Sequence, residues 1–551
     1  MFMHVVSKKN NIIYILLFII TLISILVFKD YGIGIEEHFQ RKSGFYWLEH
    51  LLSFTDFEYL KSEVNLRVDE INKFTPNLFP IEKFSYYGIL FDLPLAFIET
   101  YFDISEPADY FHLRHLVILF FFLLSSFFFY KIINLRFNSV NLSIFGFLIF
   151  VYTPRIYGNI FFDNKDIFFL SIFTINIYYY FKFNNSNKYL DLVIFSLFCA
   201  FSTSSRIIGI LIPLSFLLVL LFSSLSTEQT KNHLKIFSIF IISYFFFLFI
   251  HWPYLWSLDL NQWLNFFTPF FQYMNPTVFF NGEFYQSKYL PISYLPLFIF
   301  ITTPVYIILF FILGLFTQFR RFFLRFIKIK ETKEIYTNDL WRSSNEKFDL
   351  FILLNFLLVV FIYMSSNLAL LSGWRHFYFL HFIFIYFACF FVFFFIRRFR
   401  KKKIKLYVSF LIIPLIILHI IDVFKYHPFQ SSYFNNLISV EMKRKFEIDT
   451  QSLSRVHALK NIYQKNEKIS IATASWTPIE DARSLLPKKM WENFIFLGTA
   501  NKEKADYIYT NYYYEVNTNY NKKYEIPKNF SMYKNFSIDG TRIYSIFKKD
   551  K

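Results

Sequence analysis

Ile12-Ile-Tyr-Ile-Leu-Leu-Phe-Ile-Ile-Thr-Leu-Ile-Ser-Ile-Leu-Val-Phe28 is an almost unbroken apolar run, and as a helix it is long enough to cross a bilayer. Much of the remaining chain repeats the pattern. Apolar stretches near twenty residues alternate with short charged loops, the signature of a polytopic helical membrane protein. Spans are expected at roughly 11–28, 114–133, 139–152, 164–181, 188–204, 207–225, 236–251, 294–317, 350–368, 375–396 and 405–424, about eleven in total. The first, preceded by Lys8-Lys9 and followed by no small-residue cleavage site, reads as a signal anchor.

The 551 residues are 55% hydrophobic, with 83 Phe and 39 Tyr, which reads as a coding bias that substitutes Phe and Ile for Leu. A formal charge of +17 would suggest nucleic acid in a soluble chain, but the basic residues cluster beside the spans, so no nucleic-acid partner is expected. Cys199 and Cys389 both fall inside spans, which argues against a disulfide framework or a cysteine metal site.

Charge sets the orientation. Lys8-Lys9, then Arg320, Arg321, Arg325, Lys328 and Lys330, then Arg397, Arg398, Arg400 to Lys403 and Lys405, fall on one side when eleven spans are threaded. The positive-inside rule makes that side cytoplasmic. The 29–113 loop, the 252–293 loop and the 425–551 tail then lie outside. Within the first loop, Tyr86 to Tyr101 is apolar but carries Asp92 and Pro94, and reads as an interfacial or re-entrant helix. The tail changes character: 468–473, 506–510 and 542–547 read as strands and 452–463 as a helix. The chain therefore divides into a membrane domain, 1–424, and a small extracytoplasmic α/β domain, 425–551.

Several polar groups lie on the outer face without being needed to hold helices in lipid. Glu36-Glu37 follows the first span, with Asp30 just before it. Thr153-Pro-Arg155 to Asp163-Asn-Lys165-Asp166 forms a short outer loop whose last acid leads straight into an apolar helix, a costly placement unless the acid is paired or hydrated. Thr203-Ser-Ser-Arg206 and Ser372-Gly-Trp-Arg375-His376 add cations, and His427-Pro-Phe-Gln-Ser-Ser-Tyr433 joins the last span to the tail. Cations could hold a phosphate through N–H donors while a carboxylate accepts a proton from an incoming hydroxyl or amine. With no nucleotide-binding motif present, the activated group is expected to arrive attached to lipid.

In order and sidedness these motifs resemble the GT-C glycosyltransferases, in particular the group of glycosyltransferase family thirty-nine that includes the protein O-mannosyltransferases and the aminoarabinose transferases. Glu36-Glu37 stands where that family carries Asp-Glu; Arg114 matches its arginine near the second span; Arg155 and Asp166 match its second-loop pair. The resemblance implies an inverting transfer from a polyprenyl-phosphate sugar donor at an extracytoplasmic site in a bacterial inner membrane, with membrane lipids around it and a glycan, lipid or protein as acceptor. Glu36, Glu37 and Asp166 are then the catalytic candidates. Arg155, Lys165, Arg206, Arg375 and His376 are the phosphate-binding candidates, and Arg114, His427 and Tyr433 are structural or acceptor candidates. A divalent cation shared by Glu36 and Asp166 stays open as a cofactor. The alternatives are a polysaccharide polymerase or ligase, which shares the donor chemistry, a transporter or lipid flippase, and an assembly protein acting through its tail. A transporter should carry midplane charges and often an inverted repeat, and the sequence displays neither.

Overall fold

The computed structural model describes residues 2–74, 86–224, 230–271, 275–327, 340–399, 401–465, 467–514 and 520–550. Lys328, Lys330 and Arg400 of the basic clusters lie outside the described residues. The chain is a polytopic α-helical membrane protein with a small C-terminal α/β domain. Among the described residues seven helices are long and apolar enough to cross a membrane, and two shorter apolar helices, Val140–Tyr152 and Tyr189–Ser205, lie among them.

The first loop holds more structure than expected. After α1 (Phe2–Val27) come α2 (Glu37–Leu52), α3 (Glu58–Phe74) and α4 (Asp92–Tyr101). These share a core of Phe45, Leu48, Leu52, Val64, Ile71 and Ala96. Of the expected 86–101 element, Asp92–Tyr101 is helical, and it packs on α2. The approach is close: a Cβ on Gly44 would stand 2.4 Å from the Asp92 carbonyl oxygen, so glycine alone fits there.

The bundle continues with α5 (Pro107–Phe137), α6 (Val140–Tyr152), the short α7 (Pro154–Asn159), α8 (Asp166–Ser186), α9 (Tyr189–Ser205), α10 (Leu211–Ser224) and α11 (Thr230–His251). Asparagine, which tolerates left-handed backbone, ends two of them: Asn138 closes α5 at φ 49° and Asn187 closes α8 at φ 52°. Ser139 opens α6 by accepting the Leu142 N–H. The large outer loop carries α12 (Leu260–Leu264), α13 (Thr268–Phe271) and an antiparallel hairpin of β1 (Thr277–Phe280) and β2 (Glu283–Gln286). The expected single span 294–317 is two helices, α14 (Tyr294–Thr302) and α15 (Val305–Ile327). They break at Thr303-Pro304, where proline has no N–H to continue the ladder. α16 (Ser344–Ser365), α17 (Leu380–Arg398) and α18 (Lys402–Lys425) complete the bundle.

The tail adds α19 (Val440–Lys443), α20 (Ser454–Ile462) and strands β3 (Ile469–Thr473), β4 (Phe494–Leu497), β5 (Tyr507–Thr510), β6 (Phe530–Ile538) and β7 (Thr541–Lys549). The sheet order is β4-β3-β5-β7-β6, parallel through β4, β3 and β5 and antiparallel beyond. The tail is seated on the membrane domain. His427 Nε2 meets Asp30 at 2.9 Å, Tyr31 donates to Gln430 at 2.9 Å, and Arg455 donates to the Ile33 carbonyl at 3.0 Å. The tail's first residues thus brace the loop that carries Glu36.

Candidate active site

Two buried ion networks organise the bundle, and a third cluster is built differently. In the first network, Arg114 on α5 donates to Glu99 at 2.8 Å and to Asp92 at 3.1 Å, and Arg41 on α2 donates to the other Glu99 oxygen at 2.8 Å. Glu99 is fully buried with two arginines on it, and Arg41 lies 3.6 Å over the Tyr110 ring. This network ties α2 and α4 to α5. Arg114, left open between structural and acceptor roles, pairs with two acids here.

The second network, at the far end of α5, is closed. Asp349 accepts from Arg136 at 2.7 and 2.6 Å, from Arg321 at 2.7 Å and from the Tyr386 hydroxyl at 2.6 Å. Arg136 is about 33 Å from Arg114 along the same helix, at a rise of about 1.5 Å per residue.

The third cluster lies at the Arg114 end. It draws Glu36 from the turn before α2, Asp163 to Asp166 from the start of α8, Arg206 from the end of α9 and Arg375 and His376 from the turn before α17. Glu36 pairs with Arg375 and Asp166 pairs with Arg206. Burial alone would raise the Glu36 carboxyl, but Arg375, then Lys165 and Arg206, hold it down at about 2. Burial, and next Arg206, push the Lys165 ammonium down to about 7, against the pull of Glu36 and Asp166. Burial, with Arg206, Arg375 and Lys165 around it, holds His376 well below its ordinary range. These shared fields show that Glu36, Lys165, Asp166, Arg206, Arg375 and His376 form one electrostatic unit.

The α8 turn explains how Lys165 and Asp166 are presented. Asp163 accepts the Asp166 N–H at 2.9 Å and the Lys165 N–H at 3.4 Å, a carboxylate cap on a helix N-terminus. Burial and the neighbouring Asp166 charge push the Asp163 carboxyl upward. One oxygen of Asp163, one of Asp166 and both side-chain polar atoms of Asn164 are buried without a hydrogen-bond partner among the described residues. Orphaned buried polar atoms are costly, and their concentration in one turn marks a place built to face a polar ligand.

Lys165 also stands 3.3 Å over the Tyr87 ring and lines a small cleft that is partly open to solvent. Gln40, Ser43, Asp92, Asn164 and Ser205 supply its polar wall, and Phe39, Leu90, Phe91 and Phe168 its apolar one. Tyr87, Asp92 and Asp163 were not singled out as site residues in the sequence. An Asp three residues before a helix start is a capping signal that could have marked Asp163; nothing local marks Tyr87.

The remaining predicted residues sit elsewhere or are already engaged. Both Glu37 oxygens are in use, one by the Gly34 N–H at 2.6 Å and the other by His115 at 3.0 Å. Arg155 is 2% exposed, donates to the Tyr433 carbonyl at 3.3 Å, and has no carboxylate partner among the described residues. The Tyr433 hydroxyl donates to Asp422 at 3.2 Å, and His427 belongs to the tail seat with Asp30. Glu36 and Asp166 are each neutralised by an arginine, and among the described residues no group of three or more His, Cys, Asp or Glu is placed to hold a metal ion. The chemistry below is written with these side chains alone.

No family model and no curated protein matches the chain. Over 98% of its length, and 98% of the other chain, it is similar to the crystal structure of ArnT from Cupriavidus metallidurans bound to undecaprenyl phosphate, at a TM-score of 0.45 and 8% sequence identity. The likeness is a remote one.

Proposed function

We propose that this chain is a GT-C-type inverting glycosyltransferase that moves a sugar from a polyprenyl-phosphate donor to an extracytoplasmic acceptor, in a bacterial inner membrane with its N-terminus cytoplasmic and its tail periplasmic. One observation carries the reading: Glu36, Lys165, Asp166, Arg206 and Arg375, spread over some 340 residues of sequence, converge beside a half-apolar cleft at one end of the bundle.

The chemistry follows from charge. Arg375, Arg206 and Lys165 hold the donor phosphate and stabilise the negative charge it gains as the sugar–oxygen bond breaks. The acceptor hydroxyl or amine attacks the sugar carbon from the opposite side, and its proton passes to Glu36. A carboxylate held at about 2 by Arg375 is a weak base, so the pair has a second function. When the donor phosphate takes the Arg375 guanidinium, Glu36 loses its strongest stabilising partner and gains basicity at the moment it is needed. Asp166 anchors Arg206, and Asp163 fixes the turn that aims Lys165. The apolar wall of Phe91 and Phe168 suits the first isoprene units of the lipid.

Lys165 makes the reading testable by pH. A lysine near 7 is charged below that pH and neutral above it, so phosphate binding should weaken as pH rises through the value, displaced upward somewhat by the bound anion. Binding of undecaprenyl phosphate to the purified full chain is the measurement. The wild type should lose affinity on the alkaline side while Lys165→Arg, charged throughout, should not. Identical pH profiles in the two proteins would remove Lys165 from the phosphate site.

A further inference from the structure

The outer loop after α11 carries a feature the transfer reaction does not use. α11 turns Ile242, Phe245, Phe246, Phe249 and Ile250 outward, as a span facing lipid must. The exposed apolar surface does not stop where the span ends. Trp256 donates its indole N–H to the Phe249 carbonyl at 2.6 Å, folding the chain back over the end of α11. Asp259 and Gln262 then form a reciprocal cap, at 2.7 and 2.9 Å, that stabilises the short α12. On it Leu260, Trp263 and Leu264, spaced three and four residues apart, share one face and are 76, 44 and 77% exposed, and Phe267 continues the strip.

The opposite side of the same segment is packed. Phe266 lies 5.7 Å from Trp252, and Phe270 lies 4.9 Å from Tyr86. Tyr86 lies 4.7 Å from Tyr87, the ring that carries Lys165. The segment therefore has a dry side against the protein and an equally apolar side that the described residues leave exposed. Among the described residues no polar side chain covers the strip, and its continuity with the lipid-facing surface of α11 names what does.

We propose that Trp256 to Phe267 is an interfacial anchor that lies in the outer-leaflet boundary of the bilayer, with Leu260, Trp263, Leu264 and Phe267 seated in lipid. Trp and Leu side chains on a short helix beside a span end favour that boundary. The anchor fixes the Tyr86–Tyr87 wall of the cleft relative to the membrane surface. It stands independently of the transfer reaction proposed above.

The test uses the full chain in lipid nanodiscs. Cys199 and Cys389 are both buried in the bundle, so an introduced cysteine labels selectively. An environment-sensitive fluorophore on Trp263→Cys, and separately on Leu264→Cys in case the first variant misfolds, should show blue-shifted emission. It should be quenched by doxyl-labelled phospholipid and resist aqueous iodide. The same label on Lys489→Cys, exposed on the tail, should behave the opposite way. Iodide quenching at 263 and 264 equal to that at 489 would overturn the proposal. So would shielding from both quenchers, which would assign the strip to a protein partner or a second copy of the chain.

Discussion

Glu36→Gln should lower sugar transfer by about 10²–10⁴-fold, the usual contribution of a positioned general base, while leaving the protein folded. The substitution keeps the shape of the side chain and its place before α2, so the turn has no steric reason to move. It leaves Arg375 without its acid, so the cluster of Arg375, Lys165 and Arg206 carries one more uncompensated positive charge. The phosphate site becomes more positive. Undecaprenyl phosphate should therefore bind the variant as tightly as the wild type or more tightly, even as turnover collapses. That opposition separates a chemical role from a structural one, since loss of fold would weaken binding and turnover together. Wild-type transfer by a well-folded Glu36→Gln protein would take the residue out of the mechanism.

Asp349→Ala should destabilise the bundle by about 3–5 kcal/mol, the cost of removing one partner from a buried ion network. Asp349 is fully buried and satisfies two arginines and a tyrosine, drawn from α5, α15 and α17. Alanine would leave both guanidiniums facing one another with their shared anion gone. Asp349→Asn keeps the volume and part of the hydrogen bonding, so its loss should be smaller. Thermal unfolding of the purified proteins orders the three. Because the clamp is about 33 Å along α5 from the Arg114 end, transfer per folded molecule should be unchanged in whatever fraction survives. Unfolding of Asp349→Ala within about 0.5 kcal/mol of the wild type, the range of an ordinary surface substitution, would show that the clamp contributes little.

Long helices were the most legible part of the sequence, because hydrophobic runs of the required length have few other readings. The expected spans at 139–152 and 188–204 lie within a residue or so of α6 and α9. The tail strands expected at 468–473, 506–510 and 542–547 also stood out, since alternation and β-branched content mark them locally, and they coincide with β3, β5 and most of β7. The helices of the first loop did not. α2 and α3 are amphipathic around a core of their own, and their charged faces masked that core. The break at Pro304 was readable in principle and was passed over because the apolar run continued through it.

The site was half legible. Charged and polar groups that lipid-embedded helices do not need stood out one by one, and the structure brings six of them together: Glu36, Lys165, Asp166, Arg206, Arg375 and His376. What sequence cannot supply is partnership. Glu36 and Glu37 are neighbours in the chain, yet one faces Arg375 and the other is consumed by Gly34 and His115. Arg155 and Arg375 looked equivalent, yet only Arg375 carries an acid from the cluster. Asp163 acts through the backbone N–H groups of the turn it caps, a role that follows from the start of a helix and not from residue type.

A structure of the full chain in a nanodisc with undecaprenyl phosphate would decide the matter. The phosphate should lie within hydrogen-bonding distance of Arg375, Arg206 and Lys165, with Glu36 released from Arg375 and the isoprenoid running past Phe91 and Phe168. A phosphate found against Arg136 and Arg321 at the other end of the bundle, or anywhere that leaves the Glu36–Arg375 pair undisturbed, would contradict it.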